Sequence, residues 1–495
     1  CAHRCQNKCS RNFYDESVHI RDTKLVAAEN GYGALMASLK PTEKLPGKKA
    51  AIIGGGPTGI AAAYFLARGG VQTTIFEREE KLGGVPRYVI PAFRISDEAL
   101  DKDVALMERL GVEVKCGAPA PSVAELKKMG YTHILLATGA WQAGELGIPG
   151  NVRGVIAWMK EMKQQVKPCL EGHVVVVGAG NTAMDAARVA KRMGAASSTI
   201  VYRRTKKEMP ADEHELKLAI DEGVNLVELA APVEQKDGKL ICNQMKLGEP
   251  DASGRRSPVA TGETFEIPCD LVLSAIGEKV DAKLMAENGI EMGRKGPAFQ
   301  TNVENVWSAG DAHRGPATVV EGIADAAAFA EAVIGAAHTY EIPEQAYPTK
   351  ADAIAKKGIL CESAKCEGDR CLTCNVVCQV CADVCPNRAN VVIELPDGRQ
   401  QILHVDRMCN ECGNCAVFCP YDSAPYRDKF TLFLTKEGFD ESVNNQGFLP
   451  LGGKKVLVRL NGKVFEADLD GKNDLPADIE VFIWTVLTKY AYLVG

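Results

Sequence analysis

No run of about 18 apolar residues occurs in the 495-residue sequence, so no membrane-spanning helix is expected. The Ala-rich stretch Gly322 to Ala337 is interrupted by Asp325 and Glu331 and reads as a buried helix. A basic excess is also missing. The 58 Lys and Arg stand against 64 Asp and Glu, a formal charge of −6, which argues against nucleic acid as a partner. The sequence shows no signal-peptide pattern and does not start at Met. It begins at a cysteine inside a cysteine motif, so a cytoplasmic location and a fragment or processed part of a longer polypeptide are expected.

What is present is ordinary in bulk: 46% hydrophobic and 25% charged residues, enough for about three or four domains with real cores. The 18 cysteines are the exception, with eleven between Cys361 and Cys419 and three more at Cys1, Cys5 and Cys9. A chain this long needs no disulfide staples, so clustered cysteines read as metal ligands.

Two segments read as strand, glycine turn, helix. In "KKAAIIGGGPTGIAAAYFLARGG" the strand is Ala50 to Ile53 and the helix Gly59 to Arg68. Gly54, Gly56 and Gly59 form G-x-G-x-x-G, with Pro57 and Thr58 inside it. Such a turn brings backbone N–H groups and a helix N-terminus to a pyrophosphate. Glu77 ends the next strand, where a carboxylate can accept both ribose hydroxyls. The second copy, "HVVVVGAGNTAMDAARVAKRMGA", places Gly178, Gly180 and Ala183 as G-x-G-x-x-A around Asn181 and Thr182. Its following strand ends in Arg203 and Arg204 instead of an acid, which suits a 2′-phosphate and favours NADPH over NADH. Ordinary surface charge is the alternative for these arginines. Alternating strands and helices give an α/β fold with two Rossmann-like domains.

Cys409, Cys412, Cys415 and Cys419 read C-x2-C-x2-C-x3-C before Pro420, the bacterial ferredoxin run. A second run, Cys374, Cys378, Cys381 and Cys385 before Pro386, has one extra residue in its first gap, and Cys371 upstream leaves its first ligand open. Two runs closed by Cys–Pro predict a ferredoxin-like domain with two 4Fe-4S clusters, zinc being the alternative. A crossed assignment follows, with Cys374, Cys378, Cys381 and Cys419 on one cluster and Cys409, Cys412, Cys415 and Cys385 on the other. Cys361, Cys366 and Cys371 are left over, and bystanders are the favoured reading. Cys116, Cys169, Cys242 and Cys269 are isolated, and buried inert thiols are expected there.

Several segments resemble the glutamate synthase small subunit and dihydropyrimidine dehydrogenase flavoprotein family over residues 1 to about 340. "FEREEKLGGVPRYVIPAFRIS" is similar to the stretch after the second strand of that family's FAD domain and carries Arg78, Gly84, Arg87 and Arg94. "ILLATGA", with Ala137, Thr138 and Gly139, is similar to its hinge motif. "VWSAGDAHRGPATVVEGIADAAAFA" is similar to its late FAD motif, with Gly310, Asp311, Pro316, Thr318 and Val319, and Ala275 and Gly277 lie on the return from the NADPH unit. The spacing of Cys1, Cys5 and Cys9 resembles the family's N-terminal cluster segment, one ligand short of four. The ferredoxin module and "CPNRANV" look closest to the selenate reductase flavoprotein subunit. The resemblance implies FAD and an NADPH domain inserted within the FAD domain; with the sequence pattern this gives an N-terminal Cys-rich helical segment over 1–46 with a helix from Asp22 to Glu29, FAD over 47–145 and 271–345, NADPH over 146–270, a linker over 346–370, the ferredoxin-like domain over 371–435, and a small C-terminal β element over 436–495.

Nicotinamide gives two electrons as hydride and a cluster takes one, so a flavin belongs between them. The expected function is an NADPH-linked oxidoreductase subunit moving electrons between NADPH, FAD, two C-terminal clusters, a further N-terminal one, and a redox partner. That partner is a separate subunit, such as a molybdenum hydroxylase or reductase, or an N-terminal part of this chain. No acid–base catalyst is evident, and His313 is expected to pack near the flavin. The alternatives are a self-contained flavin dehydrogenase acting on a small substrate, and a non-catalytic scaffold with degenerate sites and structural metal.

Overall fold

Contiguous apolar runs, not alternating ones, build the two parallel sheets of this protein, because both faces of each are covered, the first sheet by helices and the second by helices on one face and antiparallel strands on the other. The computed structural model describes residues 4–13, 16–250, 256–291, 297–336, 366–372, 378–442, 445–471 and 473–494, with 351, 355, 356 and 359. The chain divides into two compact units, one of Gly33–Tyr340 and one of His3–Tyr32 with Glu341–Gly495.

In the first unit, one sheet has the order Val306–Ser308, His133–Leu136, Lys49–Ile53, Gln72–Phe76, Glu113–Lys115, all parallel. Ala50, Ala51 and Ile52 are fully buried. The helix Pro57–Arg68 turns the small side chains Ala62 and Ala63 to this sheet, and Phe329 and Ala330 of the helix Val319–Ile334 share the same core. Small residues permit the close helix–sheet approach on which the glycine turn depends. The longer helix is fixed at its start by a capping box, in which Thr318 Oγ1 accepts from the N–H of Glu321 and the Glu321 carboxylate accepts from the N–H of Thr318.

The second sheet has the order Val152–Gly154, Leu271–Ser274, His173–Val177, Ser197–Tyr202, Asn225–Glu228, again parallel. The expected boundary at 270/271 is corrected here: Leu271–Ser274 is an inner strand of the second sheet, and the chain returns to the first only afterwards. The two passages between the sheets, Gln142–Ala143 and Glu278–Lys279, pair antiparallel. A three-stranded antiparallel sheet, Ala230–Lys236, Lys239–Pro250 and Arg256–Pro268, completes this lobe. Cys242 and Cys269 are buried beside it, and burial pushes their thiols up to about 11 and about 12. Cys169 is exposed, against the expectation of a buried thiol, and Cys116 is half-buried.

In the second unit, six strands form one mixed sheet in chain order: Asn390–Glu394, Gln400–Val405, Thr431–Leu432, Gly447–Gly452, Lys455–Leu460 and Lys463–Asp468. The expected separate β element over 436–495 is therefore corrected. Its strands continue the hydrogen-bond ladder of the cysteine module across residue 435, through the parallel pairing of Thr431 with Gly447. A helix at Ala477–Lys489, not foreseen, packs Phe482, Ile483 and Val486 against Leu403, Val405, Phe448 and Val458.

The N-terminal segment is held to this unit by charge that is taken out of water. Arg11 is fully buried and donates to the carbonyls of Arg370 at 3.0 Å and Ile359 at 2.7 Å. Arg370, itself 2% exposed, pairs with Glu367 at 2.9 Å and donates to the Glu16 carbonyl at 3.0 Å. Glu367 in turn accepts from the N–H of His19. Residues Glu367–Arg370 are thus a buried anchor and not the end of a linker, since guanidinium groups at this depth require all these acceptors. The helix expected at Asp22 to Glu29 runs longer, over Ile20–Ser38, with none of its described side chains buried.

Burial also pushes the His404 imidazole down to about 4. Its Nδ1 lies 3.1 Å from Asn390 Oδ1, and Asn390 donates to the Cys381 carbonyl at 3.0 Å. The unfolded chain therefore takes up a proton at this histidine first as pH falls through about 6.5, and stability present above that pH is lost towards the folded value. The expected loss is up to about 3 kcal/mol. Replacing His404→Gln should flatten the decline in urea-unfolding free energy between pH 7 and pH 4. An unchanged decline would show that the acid sensitivity lies elsewhere.

Candidate dinucleotide site and cysteine module

Gly54 has φ +105°, and a Cβ there would stand 2.5 Å from the Ala137 carbonyl oxygen. A Cβ on Gly59 would stand 2.0 Å from the Gly54 carbonyl oxygen. Only glycine lets the turn, the helix and the neighbouring strand meet this closely. At Gly56, by contrast, a Cβ would meet nothing nearer than the Gly84 Cα at 3.9 Å, so the space above the helix N-terminus is open. Pro57 occupies the first helical position, where no N–H is needed for the helix.

That space belongs to a cavity of about 860 Å3. Gly54, Gly56, Pro57, Thr58, Glu77, Arg78, Gly84, Ala137, Thr138, Gly139, Asp311, Thr318 and Val319 line it. Glu77 is 6% exposed; its Oε2 accepts from the N–H of Gly55 at 2.6 Å and its Oε1 from that of Glu79 at 2.9 Å. Both oxygens retain lone pairs for further hydroxyls. Asp311 accepts from the N–H of Ala317 at 3.1 Å. Burial pushes its carboxyl up to about 6, the Ala317 N–H opposes the shift, and Glu278 adds to it. The Thr138 hydroxyl is buried with no hydrogen-bond partner among the described residues. A long, polar-ended ligand fits this lining: a cradle at a helix N-terminus, a carboxylate at the strand end, and an unsatisfied hydroxyl.

Arg87 and Arg94 do not line the cavity, which corrects their expected place. Arg87 is buried, its Nε donates to the Leu82 carbonyl, and its guanidinium pairs with Asp101 on the helix Asp97–Arg109. Arg94 reaches Asp185 at 2.9 Å and also pairs with Glu215. The segment between them packs Val89 into the second lobe's core; Arg94 joins the two lobes, while Arg87 is paired within the first. His313 packs edge-on against Phe299, with ring centroids 5.3 Å apart. Gly310, Pro316, Ala275 and Gly277 also lie outside the lining. The cavity walls that sequence reasoning missed are Pro119–Ser122, Trp141, the helix face Ile156, Ala157 and Lys160, and Asp281 to Asn288; none carries a spacing signal.

At the second turn, Gly178 has φ +146° and a Cβ would lie 2.2 Å from the Ala275 carbonyl oxygen, whereas at Gly180 nothing lies within 4 Å. Ala183 is fully buried against the sheet. Thr182 donates to Glu278 at 2.9 Å. The paired arginines separate in role. Arg204 is buried and its Nε donates to the Arg256 carbonyl at 2.9 Å, while Arg203 is exposed with no ion pair among the described residues.

In the cysteine module, Val380–Asp383 and Asn414–Val417 are one-turn helices whose Cys381 and Cys415 meet beside Ile402 in a small buried cluster. Burial pushes the Cys381 thiol up to about 11, and Cys415 and Cys419 push it the same way. Cys409 is raised by burial and also by Cys385 and Cys415. Backbone N–H groups point at two sulfurs, Ala389 to Cys385 at 3.2 Å and Glu411 to Cys409 at 3.3 Å. Cys378 is half-buried and Cys412 exposed. Cys5 and Cys9 belong to the same unit, where Lys8 pairs with Asp422 at 2.6 Å. Cys1 and Cys374 lie outside the described residues. Among the described residues, no three His, Cys, Asp or Glu side chains are gathered closely enough to hold a metal ion.

The two turns differ in a way that thermal unfolding can read. Gly59→Ala should cost about 1–3 kcal/mol through its clash with the Gly54 carbonyl. Gly180→Ala should leave the melting temperature nearly unchanged, since its Cβ meets nothing. Equal losses for the two would contradict the packing described.

Comparisons with known proteins agree with this architecture. The family model described as pyridine nucleotide-disulphide oxidoreductase matches residues 48–326. YgfK of Escherichia coli K12, an oxidoreductase by name, is 38% identical over 97% of this chain and 49% of its own length. The chain therefore spans about half of that relative. The small chain of glutamate synthase [NADPH] from the same organism is 30% identical, over 67% of this chain and 77% of its own. Mycobacterium tuberculosis FprA in complex with NADPH is similar in fold, with a TM-score of 0.51 at 18% identity over 63% of this chain and 89% of FprA. The chain belongs to the pyridine nucleotide-disulphide oxidoreductase family, among the relatives of the glutamate synthase small chain.

Proposed function

We propose that this chain takes hydride from NADPH onto FAD in its first unit and passes electrons singly into iron–sulfur clusters held by its cysteines, for delivery to a redox partner. The observation that carries the reading is the pair of glycine turns with opposite charge at their strand ends. Glu77 closes the first, beside the 860 Å3 cavity, and Arg203 stands exposed at the second, with no ion pair among the described residues. A carboxylate suits ribose hydroxyls and repels a 2′-phosphate, and a guanidinium does the reverse. The glutamate synthase small chain, named for NADPH, supports the same choice.

FAD, when bound, supplies the exchange between a two-electron hydride donor and one-electron acceptors. The chain's residues supply position. Gly54 to Thr58 present backbone N–H groups to a pyrophosphate, Glu77 takes ribose hydroxyls, and Asp311 meets the polar chain between pyrophosphate and flavin ring. Gly178 to Ala183 repeat the cradle for NADPH, with Arg203 at its 2′-phosphate. Arg204 holds Arg256 and its strand in place and serves that site indirectly.

For the clusters, the donor set fits by its chemistry: thiols in two Cys–Pro-closed runs, with N–H groups directed at Cys385 and Cys409, as cluster sulfur ligands favour. The crossed assignment follows from the ferredoxin run, in which the cysteine before proline serves the other cluster. Cys378, Cys381 and Cys419 with Cys374 would hold one cluster, and Cys409, Cys412, Cys415 and Cys385 the other. Cys1, Cys5 and Cys9 would serve a third. The relatives include a chain named as one part of a larger enzyme, which supports a partner subunit or further domain as the electrons' destination.

Anaerobic titration tests the nucleotide assignment. NADPH should bleach the flavin band at far lower concentration than NADH. Arg203→Ala should raise the KM for NADPH about 10- to 100-fold, the loss of one charge-assisted contact, and barely change that for NADH. A variant that weakens both cofactors alike would remove Arg203 from the 2′-phosphate site.

A further inference from the structure

One wall of the cavity comes from the other lobe. The helix Val155–Lys163 follows the first strand of the second sheet and buries Val155, Ile156, Trp158, Met159 and Met162 there. Its remaining face sends Ala157 and Lys160 to the cavity lining, which Ile156 also reaches. Lys160 is the one cation that the second sheet's lobe contributes among the lining residues.

Lys160 is also tied to the first lobe. Its Nζ lies 2.7 Å from Glu79 Oε1 and 5.3 Å from the centre of the Tyr88 ring. Glu79 follows the ribose-site carboxylate by two residues, and its own N–H is held by Glu77. On the other side of Glu79, Arg78 Nε lies 3.8 Å from the same carboxylate oxygen, and its guanidinium sits 5.0 Å from the Trp141 ring centre. Arg78 and Trp141 both line the cavity. The result is a continuous clasp, Trp141, Arg78, Glu79, Lys160, that crosses from the hinge segment to the inserted lobe beside Glu77.

We propose that Lys160 is a flavin-retaining residue contributed by the nicotinamide lobe: its ammonium closes the cavity beside Glu77 and adds positive charge to the site of the bound dinucleotide's diphosphate and ribose. This rests on the reading of the cavity as the FAD site. A lysine suits the task because its long stem spans the gap between lobes while its head stays movable among Glu79, water and a phosphate oxygen. The fold does not need it. Lys160 is one-third exposed, and its ion pair with Glu79 is of the screened, weakly stabilising kind. Its loss should therefore appear in cofactor retention and not in folding.

The test is the rate at which FAD leaves the purified full chain, followed by the rise of free-flavin fluorescence after dilution. Lys160→Met should release FAD about tenfold faster, the effect of one charge-assisted contact, with an unchanged circular dichroism spectrum. Lys160→Arg, which keeps the charge, should stay within about twofold of the parent. Lys160→Gln removes the same charge but keeps a polar side chain and should also speed release about tenfold, which keeps the test decisive if Lys160→Met folds poorly. Release from Lys160→Met at the parent rate, or equal acceleration by Lys160→Met and Lys160→Arg, overturns the proposal. A parent chain that takes up no FAD overturns the underlying reading, and the inference with it.

Discussion

The rest of the first unit depends on how closely three backbones approach at the C-terminal end of the middle strands of its first sheet. The Gly54 turn lies against the carbonyl of Ala137, and the helix that follows lies against the carbonyl of Gly54. A single Cβ at either point would collide at 2.5 Å or less. Because the turn is that tight, the helix Pro57–Arg68 starts with its free N–H groups at the mouth of the cavity, and Glu77 can fold back to hold the Gly55 N–H. The second sheet repeats the device with Gly178 against Ala275. Chemistry at both sites is thus set by backbone geometry first and by side chains second.

Around these cradles the lobes are joined by charge. Lys160 meets Glu79, Arg94 meets Asp185 and Glu215, and Lys163 donates to the carbonyls of Pro86 and Ile90. All of these contacts fall on residues 79 to 94, the segment after the second strand. Burial pushes the Asp185 carboxyl up to about 6, with Arg94 opposing and Glu215 adding to the shift. The segment acts as a splice between lobes, receiving Lys160 and Lys163 from the second lobe and sending Arg94 to it.

Much of this was legible in the sequence. The strand–turn–helix units were readable because parallel strands buried on both faces must be unbroken apolar runs, and because no other residue replaces the turn glycines. Glu77 was found at the cavity because it sits at a strand end, where topology leaves little freedom, and Asp311 through the resemblance of its motif. Arg87 and Arg94 were misplaced because a sequence does not tell which way a side chain leaves the backbone. The antiparallel strands 230–268 were missed because they are mostly half-exposed and lack a regular alternation. Lys160 gave no signal, since its role arises only when two lobes distant in sequence meet. The strand ladder across residue 435 was hidden by a change in composition that marks no structural break.

The central claim is that electrons entering as hydride leave through clusters on the same chain. Electron paramagnetic resonance of anaerobic protein frozen after one addition of NADPH tests it directly. The account predicts signals of reduced 4Fe-4S clusters, together with iron and acid-labile sulfide for at least two of them. Reduced flavin with the clusters still oxidised, or bound zinc without sulfide, would contradict it.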